Sequence, residues 1–146
     1  MILLGQTYYD REKGIAGLEG LALGALVTHS TKYLTARSRP DSDTKTSFPS
    51  GHTQAAFSLA TSLWMSYGWS AGLPLAGLGV FTGLTRIADN AHWLSDVVAG
   101  ATIGILFGRS GFRHHESAAP LVAPMIEIDD ADGRVSLLGL QVQQDF

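Results

Sequence analysis

Residues 53–85 read TQAAFSLATSLWMSYGWSAGLPLAGLGVFTGLT, and nothing in this stretch carries a formal charge. Small and aliphatic residues follow one another without the strict alternation of a half-buried strand, so the stretch reads as helix. Gly68 divides it into two helices, roughly 50–67 and 70–88. Pro74 in the second is tolerable if it lies in the first turn, where a missing N–H leaves no helical bond unmade. Working outward, 15–34 and 92–109 read the same way, the last holding the uncharged run VVAGATIGILFG at 97–108. At about 1.5 Å per residue, helices of this length approach the thickness of a bilayer's hydrocarbon layer. The unbroken apolar runs are nearer a dozen residues, however, a length that buried core helices share.

Composition bounds the rest. The chain has 146 residues, 45% of them apolar, which supports one core and argues against two ordinary domains. Charged residues make up only 16%, Gly occurs 17 times, and the net charge is −3. A broad basic field for nucleic acid is therefore excluded, and any cationic site must be local. Cysteine is absent, which removes disulfides, thiolate nucleophiles and thiolate metal ligands. The start, MILLGQTYYDREKG, lacks a basic leader region and does not read as a signal peptide.

Residues 1–110 hold eight Lys/Arg against seven Asp/Glu, whereas 111–146 hold two against six. This shift predicts a helical domain over 1–111 and an acidic extension over 112–146. Within the extension, MIEID (125–129) and LLGLQVQ (137–143) roughly alternate around DDADG (129–133), where Gly133 can take a positive φ. A small β-hairpin and an acidic extension without fixed structure both remain open.

Three short segments carry chemistry. In Lys32-Tyr-Leu-Thr-Ala-Arg37-Ser-Arg39-Pro40, Lys32 and Arg39 are seven residues apart, about two helical turns. Both cations can point to one side at the end of the first helix, which Pro40 is expected to stop. In Phe48-Pro49-Ser50-Gly51-His52, Ser50 is a candidate N-cap, Gly51 lets backbone approach a ligand, and the first-turn amides form an anion site beside His52. In Thr85-Arg86-Ile-Ala-Asp89-Asn90-Ala-His92-Trp93-Leu-Ser95-Asp96, a helix starting near His92 would put Asp96 on the same face at i, i+4. The carboxylate could then accept from one ring nitrogen and leave the other basic.

Alone, each segment has an ordinary structural reading as a helix end, a cap or an exposed ion pair. Topology joins them. If four helices run up and down with short connections, Lys32, Arg39, Ser50, Gly51, His52, Arg86, His92 and Asp96 all fall at one pole. Cations, a helix N-terminus and two imidazoles suit a dianion with several oxygens, and so predict phosphoryl transfer.

The ordered triple K-x6-RP, PSGH and R-x5-H-x3-D resembles the type 2 phosphatidic acid phosphatase family, relatives of the bacterial class A acid phosphatases and vanadium haloperoxidases. The resemblance covers about 15–110 and implies an all-α antiparallel bundle of about four helices. It further implies that His92 attacks phosphorus and becomes a phosphohistidine, that His52 protonates the leaving oxygen and later deprotonates water, and that Asp96 orients His92. Lys32, Arg39, Ser50, the Gly51 amide and Arg86 would hold the phosphoryl oxygens, with no metal or other cofactor. Thr85 stands where the family often has Ser. Only 31 residues precede Lys32, where membrane members carry two earlier helices, so the chain is expected to be either a truncated domain without the family's first helices or a compact variant.

The reading is a metal-independent phosphatase of a phosphomonoester or diphosphate, with a lipid phosphate favoured. The enzyme is expected at the membrane of the cell envelope with its site at one membrane face; a soluble periplasmic placement is the alternative. The rival functions are vanadate-dependent halide oxidation and a catalytically silent helical membrane or binding module. Gly100, Gly104 and Gly108 read as a ridge for close helix packing. His29 reads as an ordinary helix residue and His114-His115 as solvated. Zinc at His52, His92 and Asp96 is disfavoured by the surrounding cations.

Overall fold

The structure is a computed structural model that describes residues 10–117, 122–128 and 135–142, with side chains placed through residue 113. Among the described residues four helices follow one another: α1 (Arg11–Thr35), α2 (Gly51–Tyr67), α3 (Trp69–Ala88) and α4 (Leu94–Ser117). The all-α bundle expected from the sequence is the fold. Two compact units are distinguished, Met1–His115 and Glu116–Phe146. In the second, β1 (Val122–Ile128) pairs antiparallel with β2 (Val135–Val142), Val122 opposite Val142, with a bulge between Met125 and Ile126. The reversal expected at 129–133 lies outside the described residues, as does the N-terminal segment 1–9.

Helix ends follow local chemistry and correct several boundaries. α1 starts four residues earlier than expected because Asp10 caps it, its carboxylate accepting from the Lys13 N–H at 3.4 Å. It ends at Ala36, which takes a left-handed conformation (φ 44°) and donates its N–H to the Lys32 carbonyl at 3.0 Å. Pro40 therefore does not stop α1; the chain has already left the helix four residues before it. Gly68, at φ 82°, ends α2 and opens α3. Pro74 sits in the second turn of α3 rather than the first. Its missing N–H leaves the Ser70 carbonyl without its helical donor.

The helices meet through small residues. A Cβ built on Gly100 would collide with the Ser50 carbonyl oxygen, and one on Gly104 with that of Gln54. The ridge of α4 therefore lies backbone to backbone on α2. Gly111, where the sequence placed a boundary, is inside α4, and a Cβ there would collide with the Ala16 carbonyl of α1.

Polarity is inverted relative to a water-soluble domain. Among the described residues the buried apolar side chains are Ala16, Ala60, Leu63 and Phe112, whereas Thr28, Ser47, Ser50, Thr53, Gln54, Ser58, Ser62, His92 and Asp96 are also buried. Large apolar side chains such as Leu26 (63% exposed), Phe81 (64%) and Leu106 (61%) face outward.

Candidate active site

The segment 36–50 returns from the end of α1 to the start of α2, and the Lys32 ammonium holds it. Nζ donates to the carbonyls of Thr46 at 2.8 Å and Pro49 at 2.6 Å. An ammonium has three N–H donors, so one remains for a ligand. Further along, the Ser47 N–H donates to the Arg37 carbonyl at 3.0 Å and the Ser50 N–H to the Asp96 carbonyl at 2.9 Å. The second bond ties the start of α2 to the first turn of α4.

Ser50 is the N-cap residue of α2, but its side chain makes no capping bond; Oγ pairs with Thr53 Oγ1 at 3.0 Å and the residue is fully buried. Side-chain capping at this position is thus corrected. With no side-chain cap, the first-turn amides at Gly51 and His52 remain for a ligand. His52 itself is exposed.

At the other wall, α3 ends in a turn whose Asn90 takes φ 51°. The N–H groups of Ala91 and His92 donate back to the Arg86 carbonyl at 3.0 and 3.2 Å. His92 therefore lies in the turn before α4, which starts at Leu94, and is 4% exposed. The expected helical start near His92 is displaced because Asp96 reaches back to accept from the Trp93 N–H at 2.9 Å, fixing the first turn there.

Asp96 is fully buried. Its Oδ1 accepts from Arg37 Nη1 at 2.8 Å, and its Oδ2 accepts from the Trp93 N–H and from Ser47 Oγ. His92 Nδ1 stands 3.6 Å from Oδ2, just beyond hydrogen-bond length, and has no other partner among the described residues. Burial first, then the nearby Lys32 cation, lowers the His92 pKa below its ordinary value of 6.5; the Ser47 carbonyl opposes this, Arg39 adds to it, and Asp96 opposes it. Neutral imidazole is favoured.

Between these walls lies an open cavity of about 480 Å³ lined by Lys32, Arg39, Gly51, His52 and His92, with Leu21, Ala25 and Ala55 forming an apolar flank. The family model for the PAP2 superfamily matches residues 14–118. The chain belongs to the PAP2 superfamily. Similar proteins include the lipid A 1-phosphatase of Porphyromonas gingivalis, 45% identical over 96 residues that cover 64% of this chain and 22% of that protein. The undecaprenyl-diphosphatase BcrC of Bacillus subtilis is 30% identical over 130 residues, 81% of this chain and 64% of that protein. The crystal structure of Aquifex aeolicus LpxE superposes with a TM-score of 0.71 at 26% identity, covering 77% of this chain and 74% of that one. The chain spans less than two thirds of the length of the two curated relatives, 22% and 64%.

Five of the eight residues expected from the PAP2 motifs line this cavity. Asp96 and Ser50 lie behind its wall, fully buried. Arg86 stands apart from the lining, its Nη2 3.4 Å from Asp89 Oδ2. The Nε atoms of Arg39 and Arg86 are buried without a hydrogen-bond partner among the described residues. His29, read from sequence as an ordinary helix residue, also lines the cavity. Sequence reasoning missed Arg37 and Ser47, the partners of Asp96. One signal was available: a carboxylate immediately before the uncharged run 97–108 needs a cation or donors if it is buried.

Proposed function

We propose that this chain carries the catalytic core of a lipid phosphatase that hydrolyses a phosphomonoester or diphosphate through a phosphohistidine. One observation carries the reading: a buried imidazole favoured in its neutral form faces a cavity lined by Lys32 and Arg39, with a carboxylate 3.6 Å behind its Nδ1. Nδ1 faces Asp96, so Nε2 is the nucleophile. It attacks phosphorus in line, an N–P bond forms and the P–O bond to the leaving group breaks, while His52 gives that oxygen a proton. His52 then takes a proton from water, whose oxygen attacks phosphorus and releases phosphate from His92. Catalytic hydrogen bonds are often long in ligand-free sites, and the Asp96 contact is expected to shorten as positive charge develops on the ring.

Lys32, Arg39 and the Gly51 amide hold the phosphoryl oxygens from the cavity wall. Arg86 would join them by swinging from Asp89, and Ser50 by turning its hydroxyl from Thr53. These groups supply positive charge and donors without a metal.

A lipid substrate is favoured by the inverted polarity of the bundle and by relatives named for lipid A and undecaprenyl diphosphate. Among the described residues α3 is the helix long and apolar enough to cross a membrane, with a mean hydropathy of 1.3. We place the enzyme in the membrane of the cell envelope, its cavity opening at one face. The test is phosphate release from lipid monophosphate, lipid diphosphate and a soluble aryl phosphate, with and without detergent and with EDTA present. Faster turnover of a lipid substrate in EDTA is expected; turnover of the soluble ester alone would overturn the lipid assignment.

A further inference from the structure

We infer that Arg37 is a positioning residue for the attack of His92 on phosphorus, acting through Asp96; this rests on the proposed roles of Asp96 as orienter and His92 as nucleophile. A fully buried carboxylate needs compensation, and Arg37 supplies the charge, its Nη1 lying 2.8 Å from Oδ1. The same nitrogen donates to Ser95 Oγ at 2.7 Å, and the guanidinium lies 5.5 Å from the centroid of the Trp93 ring. Trp93 Nε1 in turn donates to the Ser38 carbonyl at 3.1 Å. Arg37 is thereby fastened to both sides of the first turn of α4, which contains Asp96.

The cations at this pole divide into two kinds. Arg39 lines the cavity and keeps a buried Nε without a partner among the described residues, whereas Arg37 has committed its charge to Asp96, as Arg86 has to Asp89. With Oδ1 held by Arg37 and Oδ2 by the Trp93 N–H and Ser47, the carboxylate cannot rotate. Oδ2 is then the oxygen presented to Nδ1. Without Arg37 the carboxylate would turn more freely, and its uncompensated charge would stabilise imidazolium. The charged groups acting on His92 are Lys32, Arg39 and Asp96.

A double-mutant cycle on the full chain tests this. Arg37→Ala is expected to lower kcat about 10- to 100-fold, with KM within about threefold, and to move the acid limb of kcat/KM to higher pH. In an Asp96→Asn background the same change is expected to cost less than about twofold, because its route to His92 is gone. Equal losses in both backgrounds, with the acid limb unmoved, would make Arg37 structural only and overturn the inference while leaving the role of Asp96 intact. If Asp96→Asn alone leaves kcat unchanged, the reading of Asp96 falls and this inference with it. Should Arg37→Ala not fold, Arg37→Gln, which keeps bulk and a donor, is subject to the same two outcomes.

Discussion

The pole that holds the cavity and the middle of the bundle are built by opposite means. At the pole, half-buried and buried polar groups are fixed by named bonds: Lys32 to Thr46 and Pro49, Asp96 to Arg37, Ser47 and Trp93. In the middle, glycines let backbones touch, and many large apolar side chains, Leu26, Phe81 and Leu106 among them, face out. The difference separates chemistry from assembly. Substitutions at the pole should change rate more than stability, and substitutions along the glycine ridge the reverse.

The sharpest way to break this contrast is Gly104→Leu. The added side chain would strike the Gln54 carbonyl oxygen and the backbone of Ser58, neither of which can move without displacing α2. A loss of about 3 kcal/mol or more in stability is expected, seen as a collapse of monodisperse folded protein in size exclusion and of the helical circular-dichroism melt. Parent-like folding would refute the backbone-to-backbone packing of α4 on α2.

A smaller effect separates the pole by pH. The His92 pKa is lowered from 6.5, and the neutral ring is the nucleophile, so activity should persist below pH 6.5 and fall as pH drops through the lowered value. The acid limb of kcat/KM measures this, and a limb above 6.5 would contradict a desolvated His92. The smallest effect is expected at Leu106→Ala, two residues from Gly104 but 61% exposed. It should alter stability in detergent by no more than about 0.5 kcal/mol. A large loss there would place an unrecognised contact on the outer face.

The same division explains what could be read from sequence. The helices were legible because uncharged runs and glycine punctuation are local signals, and the glycine ridge because its spacing matches a helix row. Convergence of Lys32, Arg39, His52 and His92 followed from up-and-down connectivity. Ala36 as the end of α1 was not legible, because alanine has no intrinsic preference for the left-handed conformation it takes there. Ser50 likewise carries the right chemistry for a cap, but its hydroxyl is taken by Thr53. Spacing from Lys32 and the following Pro40 singled out Arg39, whereas nothing local marks Arg37, and only the fold assigns it to a carboxylate.

The central claim is that His92 forms a covalent bond to phosphorus. Rapid mixing with a lipid substrate labelled in its phosphoryl group, followed by alkaline quench and peptide mapping, should trap label on the peptide containing His92. No label should be trapped in His92→Ala, with kcat reduced at least about 10³-fold. Label on another residue, or undiminished turnover in His92→Ala, would contradict the account.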